Sequence, residues 1–209
     1  MNETTVFIVD DDPSARQGLL RLVSAAGMNA ESFNSAKDFL ESEKYKMPGC
    51  IILDVRMPEM TGPELQDQLI NEGVEMPIIF LSGHADVPTT ANTMRKGAVN
   101  FLTKPVDGED LLKAIRESLS KDETNRMDHE EVNIINNKIK TLTSREYEIM
   151  TFVITGMLNK QIAGELDISE ETVKIHRGRV MHKLGIVSVA ELVYLCEKID
   201  ISPASDAKL

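Results

Sequence analysis

Three continuous apolar runs, Val6 to Val9, Cys50 to Leu53 and Ile78 to Leu81, have strand length and no polar alternation. A strand with one wet face alternates, whereas one covered on both faces does not, so these runs predict buried strands of a parallel sheet. Weaker strands are expected over Asn29 to Phe33 and Phe101 to Thr103. Between them the polar pattern turns helical, with readable starts and stops. Pro13 opens a helix that Gly27 closes, and Ser35 caps one over 36–43. Pro63 opens one over 64–72 before Gly73, Asp86 and Pro88 open one that ends at Gly97, and Asp107 caps a last one through Leu119. Five such βα units predict an α/β fold with a five-stranded, doubly wound parallel sheet.

Beyond Ser120 the pattern changes. The stretch 121-KDETNRMDHEEVNIINNKIK-140 is polar and charged, either a flexible linker or a helical extension, with Val132, Ile134, Ile135 and Ile139 as apolar points for docking. Residues 141–209 then predict a small all-α domain. Thr143 and Glu146 form a capping box ahead of 145–156, Asn159 caps 160–166, Ser169 caps 170–184 before Gly185, and Ser188 caps 189–199. Asp167, Ile168 and Ser169 alone join the second and third helices, a spacing that predicts a helix-turn-helix. The expected divisions are residues 1–120, a linker over 121–140, and 141–209.

The formal net charge of −11 would argue against nucleic-acid binding if it were evenly spread. Residues 1–120 hold 11 Lys and Arg against 19 Asp and Glu, and residues 141–209 hold 8 against 10. Within the latter, 172-TVKIHRGRVMHK-183 carries Lys174, Arg177, Arg179 and Lys183 and no acid, on the second helix of the helix-turn-helix. No apolar run approaches a membrane span and no charged-then-apolar leader begins the chain, so a cytoplasmic protein without a membrane partner is expected. Cys50 and Cys196 stand far apart in no metal or redox motif and are expected to be buried.

The candidate chemistry lies at the strand ends. In 6-VFIVDDDPSAR-16 a strand runs into Asp10, Asp11 and Asp12. Asp12 before Pro13 suits an N-cap, while the other two lie where open α/β sheets bind ligands. Asp54 closes 50-CIILD-54, and right-handed crossovers would bring it to face Asp11 across the switch point. The fourth strand ends in Ser82 and the fifth in Lys104, adding a hydroxyl and an ammonium. Together these describe a site for a metal ion and a phosphoryl group. Each residue has a plainer role open to it: Asp54 as a loop cap, Ser82 as a turn hydroxyl, Lys104 as a solvated charge.

The segments 9-VDDD-12, 54-DVRMPEMTG-62, 80-FLSGHADVP-88 and 101-FLTKP-105 resemble a two-component receiver domain. The segments 142-LTSREYEI-149 and 159-NKQIAGELDISEETVKIHRGRVMHKL-184 resemble the LuxR-type helix-turn-helix, and the chain as a whole is similar to response regulators of the NarL/FixJ family. That resemblance implies a flavodoxin-like receiver in which Asp54 takes a phosphoryl group from a cognate histidine kinase. It implies Mg²⁺ held by Asp11, Asp54 and the backbone carbonyl of Arg56, with Asp10 reaching it through water. Lys104 would pair with a phosphoryl oxygen, Ser82 would move to another, Gly83 would leave room, and Phe101 would rotate with Ser82. Lys104-Pro105 is a candidate cis peptide. Arg56 and His84 flank the site as residues that tune phosphoryl lifetime or as plain surface groups, and Met57, Pro58, Met60 and Gly62 shape the loop.

For the second domain the resemblance implies double-stranded DNA, with a two-fold operator, as partner. Lys174, Arg177 and Arg179, with Thr172 and Lys160, would meet phosphates, and Lys174, Ile175 and Gly178 lie where the family reads bases. Val173 and Val180 are expected in the core. Gly178 replaces a basic residue of some relatives, and Asp167 stands where relatives often have glycine. Val189, Leu192, Val193 and Cys196 lie along one side of the last helix, which pairs effector domains in relatives or packs within its own domain. A homodimer on phosphorylation, with RNA polymerase as a further contact, completes the expected partners. No enzyme is expected beyond slow loss of the protein's own phosphoryl group. A phosphohydrolase resembling the haloacid dehalogenases would want an acid two residues after Asp54, where Arg56 stands. A phosphate-independent DNA binder would not need the full crevice.

Overall fold

The structure is a computed structural model that describes residues 4–83 and 87–204. His84 and Asp86, given roles above, lie outside the described residues. The chain divides into two compact units, Met1–Arg126 and Met127–Leu209.

In the first unit the strands are β1 (Thr5–Val9), β2 (Asn29–Phe33), β3 (Gly49–Asp54), β4 (Ile78–Ser82) and β5 (Asn100–Thr103), in the spatial order β2-β1-β3-β4-β5 and all parallel. The helices are α1 (Pro13–Ala25), α2 (Ala36–Glu41), α3 (Gly62–Asn71), α4 (Val87–Arg95) and α5 (Gly108–Ile139). Two cores explain the unbroken apolar runs. Phe7, Val9, Ile51, Leu53 and Phe80 pack on one face with Phe39, Leu65 and Leu69. Val6, Ile8, Cys50, Ile52, Ile79 and Leu81 pack on the other with Leu19, Val23, Leu111 and Ile115. Each such side chain removed from water contributes about 1.5–3 kcal/mol.

Most expected punctuation is present. Asp12 and Ser35 cap α1 and α2, Gly27 and Gly73 take left-handed backbone past α1 and α3, and the Lys104–Pro105 peptide is cis. The helix after Ser35 is shorter than expected, ending at Glu41 before a 3₁₀ turn over Lys44–Lys46. Of the two readings open for residues 121–140, the helical extension is the one found: α5 continues past Leu119 through the polar stretch to Ile139. Its buried stripe does not stop at the apolar residues: Leu111, Ala114, Ile115, Ser118 and Asp122 follow one another at helical spacing, all buried. The Asp122 carboxylate accepts from the Gly49 amide at 2.9 Å and from Arg126 Nε at 2.8 Å, while Arg126 also donates to the Met47 carbonyl. A polar stripe thus anchors the helix where apolar periodicity fades.

The second unit holds α6 (Ser144–Val153), α7 (Asn159–Glu165), α8 (Glu170–Leu184) and α9 (Val189–Lys198). Its core joins Ile149, Met150, Val153, Ile162, Val173, Val180, Leu184, Leu192 and Cys196. Ile135 of α5 is buried, whereas Ile134 is half exposed. Asn159 is not the cap of α7. That place belongs to Leu158, whose N–H donates to Gln161 Oε1 at 2.8 Å. The link from α7 to α8 is Leu166 to Ser169, one residue longer than expected, and Asp167 takes the left-handed conformation at φ 50° that a glycine would take at less cost.

Glu146 fastens this unit. It closes the capping box with Thr143, and its Oε2 accepts from Lys183 Nζ of α8 at 2.6 Å while the same ammonium bonds the Thr141 carbonyl. The Lys183 hydrogen bond, aided by the Thr143 amide, holds the Glu146 carboxyl down at about 2 against an ordinary 4.5. A depressed carboxyl contributes stability that is full above the unfolded value and is lost as pH falls through the folded one. Urea titrations of the full chain are therefore expected to show the second unit losing stability between about pH 4.5 and 2. Glu146→Gln should be less stable at neutral pH and flatter across that window. In the first unit, Asp122→Ala should lower stability by about 1–3 kcal/mol by orphaning the Gly49 amide. Asp122→Asn, which keeps an acceptor, should lose less in the same denaturation measurement.

Candidate functional site

Parallel strands point their carboxyl ends the same way, and β1, β3, β4 and β5 deliver Asp10, Asp54, Ser82 and Lys104 to one edge of the sheet. Asp10, Asp11, Asp12, Asp54, Arg56, Ser82, Gly83 and Lys104 line a cavity there of about 240 Å³. Asp10 and Ser82 are each 2 % exposed and Asp54 8 %, so the polar floor is buried.

Lys104 joins the floor. Its Nζ donates to Asp54 Oδ1 at 2.5 Å and to Asp10 Oδ2 at 2.6 Å, while its amide donates to the Ser82 carbonyl at 2.8 Å. The other carboxylate oxygens are held by backbone: Asp54 Oδ2 by the Arg56 N–H at 2.6 Å, and Asp10 Oδ1 by the Asp12 N–H at 2.9 Å. Asp12 turns away to cap α1, its Oδ1 accepting from the Ser14 amide. Asp11 is exposed at the mouth. Phe101 is partly buried and stacks on Phe80 with ring centroids 6.1 Å apart.

Burial pushes the Asp54 carboxyl above its ordinary range, and the hydrogen bond and charge of Lys104 pull it back. Burial also pulls the Lys104 amine down, but hydrogen bonds to Asp10 and Asp54 outweigh it and leave the amine above its ordinary value. The paired charges sustain one another in a site where a lone charge would be costly. Among the described residues, no group of three or more His, Cys, Asp or Glu side chains stands ready to hold a metal ion, and the Lys104 ammonium lies between Asp10 and Asp54. The donors themselves, carboxylates and the backbone around Arg56, are the hard oxygen ligands that Mg²⁺ takes.

Two residues gain roles that local patterns did not give them. Arg16 Nη1 donates to the Asp10 carbonyl at 2.6 Å, holding the loop between β1 and α1. Gly62, assigned above only to loop shape, lies so close to the Asp54 backbone that a Cβ would fall 2.3 Å from its carbonyl oxygen. Arg16 follows the acidic triplet at one helical turn from Asp12, and that spacing was the available signal.

In the second unit, α8 exposes Lys174, Ile175, Gly178 and Arg179 and buries Val173 and Val180. Lys160 is exposed on α7. Thr172 is drawn into the cap, its hydroxyl 2.7 Å from Ser169 Oγ, and Lys183 is committed to Glu146. Arg177 is half-buried and donates to Asn159 Oδ1 at 3.0 Å. On α9, Leu192 and Cys196 are each 1 % exposed and belong to the unit's own core, which is the second of the two roles open to that helix face. A short amphipathic helix has one apolar stripe, and in a small domain the core takes it. Val189 packs against the same core and Val193 is partly buried.

The family model for the response regulator receiver domain matches residues 6–116, and that for bacterial regulatory proteins of the luxR family matches residues 140–196. The chain is 42 % identical over 196 residues to the response regulator protein TodT of Pseudomonas putida, covering 94 % of this chain and 86 % of that one. It is 35 % identical over 202 residues to the transcriptional regulatory protein FixJ of Azorhizobium caulinodans, covering 97 % and 96 %. Among solved structures it is similar to the response regulator StyR, with a TM-score of 0.84 at 44 % identity over 94 % of this chain and 99 % of that one. Full-length FixJ from B. japonicum is similar with a TM-score of 0.58 at 32 % identity, covering 96 % and 99 %. The chain belongs to the NarL/FixJ family of two-component response regulators: a receiver domain followed by a LuxR-type DNA-binding domain that regulates transcription. No helix among the described residues is long and apolar enough to cross a membrane.

Replacing Lys104 tests the electrostatics of the crevice directly. Lys104→Met is expected to raise the Asp54 carboxyl further, because burial remains and the opposing hydrogen bond and charge are lost. Carbon-detected NMR titration of the aspartate carboxyls reads this, and an unchanged or lower Asp54 midpoint would remove Lys104 from the explanation.

Proposed function

We propose that Asp54 is the phosphoacceptor of this regulator and that its phosphorylation, dependent on Mg²⁺, controls dimerisation and sequence-specific DNA binding. The observation that carries the reading is the bridge from Lys104 to Asp54 and Asp10 in one crevice at the carboxyl edge of the sheet. Paired with Lys104, the Asp54 carboxylate needs no separate base to act as nucleophile. An Asp54 oxygen attacks the phosphorus of a kinase phosphohistidine, so that an O–P bond forms as the N–P bond breaks. Lys104 then transfers a hydrogen bond from the Asp54 carboxylate to a phosphoryl oxygen. Gly83 adds no side chain at the entry, and among the described residues a Cβ there would meet nothing within 4 Å. Ser82 follows the incoming group with its hydroxyl, and Phe101 turns as it moves.

Asp11, Asp54 and the Arg56 carbonyl would hold Mg²⁺, with Asp10 acting through water. When bound, the ion supplies neutralisation of the crowded carboxylates and of the charge on the phosphoryl oxygens. Phosphorylation shifts the receiver between two states, and the effector units then pair on a two-fold operator. With Leu192 and Cys196 in the core, Val189 and Val193 are the residues of the expected set left to that surface. Lys160, Lys174, Arg177 and Arg179 supply charge to DNA phosphates, and Ile175 with Lys174 reaches base edges. The partners are a histidine kinase, double-stranded DNA and RNA polymerase, in the cytoplasm, and the phosphoryl group is lost slowly by hydrolysis.

Incubation with acetyl phosphate, with and without Mg²⁺, tests this by intact mass and oligomeric state. A single phosphoryl adduct is expected on the wild type with Mg²⁺, together with a dimer, and none on Asp54→Asn. Equal labelling of Asp54→Asn, or no labelling of the wild type, would overturn the assignment.

A further inference from the structure

The cations of the recognition helix α8 are held in two different ways. Lys174 and Arg179 are exposed, and the nearest acid to Lys174, Glu171, lies 3.9 Å away with both side chains largely in solvent. Such a pair fixes little. Arg177 is half-buried and is tied to the other helix of the helix-turn-helix by its bond to Asn159, 18 residues earlier.

Asn159 is placed to do this and little else. A side-chain oxygen at the start of a helix ordinarily caps it, but here the cap position is Leu158 and the cap amide is satisfied by Gln161. The Asn159 oxygen is therefore spent on the guanidinium. The Arg177 guanidinium is thus held across the motif by Asn159. One N–H of the fork is taken by that bond, and the planar group keeps others in fixed directions beside the exposed face of α8.

We propose that Asn159 is a positioning residue for DNA binding: it holds the Arg177 guanidinium in advance in the orientation that meets a backbone phosphate. The proposal rests on Arg177 being a phosphate contact, as the DNA-binding reading implies. Ordering a rotamer-rich side chain before binding removes part of the cost of ordering it on DNA, which corresponds to roughly a three- to tenfold gain in affinity.

The test uses the full chain, treated with acetyl phosphate and Mg²⁺, and a mixed-sequence duplex titrated over a series of salt concentrations. Wild type, Asn159→Ala, Arg177→Ala and the double variant are compared. Arg177→Ala should weaken binding and reduce the slope of log K against log salt by about 0.9, one phosphate contact. Asn159→Ala should weaken binding about three- to tenfold with the slope retained, because the contact is still made but is no longer prepared. The double variant should bind no more weakly than Arg177→Ala, since Asn159 acts through Arg177. A wild type that binds no duplex even at low salt, or an Arg177→Ala variant that binds like wild type, would remove the phosphate contact and the proposal with it. A normal effect of Arg177→Ala with no effect of Asn159→Ala, or a further loss in the double variant, would leave the contact standing and overturn the positioning role.

Discussion

The double hydrogen bond of Lys104 is the interaction on which the receiver site depends. Asp10 and Asp54 are both nearly removed from water, and two buried carboxylates side by side would repel at a cost the fold could not easily offset. One ammonium between them makes the arrangement tolerable. That ammonium can be delivered only because β5 runs parallel to β4 and ends at the same edge, with the Lys104 amide fixed to the Ser82 carbonyl. Sheet register, crevice electrostatics and the reach to an incoming anion are thus one constraint. A group that brings its own negative charge and displaces Lys104 from the carboxylates also needs a further cation, which gives a physical reason for Mg²⁺ in the proposed reaction.

The effector unit distributes its cations differently. Lys183 is spent inside, where Glu146 uses it to lock α8 to the capping box of α6. Arg177 is shared between the two helices of the motif, and Lys174 and Arg179 are left for solvent or DNA. A helix whose formal charge looks uniform in the sequence is therefore graded, from structural at its carboxyl end to available along its exposed face. The left-handed Asp167 lets α7 and α8 cross with a short link, accepting a local strain that the packing of Ile162, Val173 and Val180 offsets.

Helix α5 shows how a polar sequence can still be ordered. Its Asp122 and Arg126 are four residues apart, a spacing that supports a helix by itself. The larger effect is that Asp122 satisfies the Gly49 amide at the start of β3, the strand that ends in Asp54. Further along, Lys138 donates to the Leu184 carbonyl at the end of α8, and Lys198 of α9 pairs with Asp128 and Glu131. Each half of the helix is thus fastened by charged or polar contacts to the unit in which it lies.

The amino-acid sequence by itself determined the strands, most helix ends, the capping of Asp12, Ser35, Thr143 and Ser188, and the set of residues that close on the crevice. Those features follow from local rules: apolar runs, cap chemistry, and the alternation that forces right-handed crossovers to bring strand ends together. It did not determine which cations are available, that the stretch after Leu119 is helical, that Leu192 and Cys196 are core, or that Gly62 must be small. Each of these depends on a partner far away in the chain: Lys183 on Glu146, Arg177 on Asn159, Asp122 on Gly49, Gly62 on the Asp54 backbone. Periodicity records how a residue sits on its own element, and only the packed structure decides which residue meets it from another.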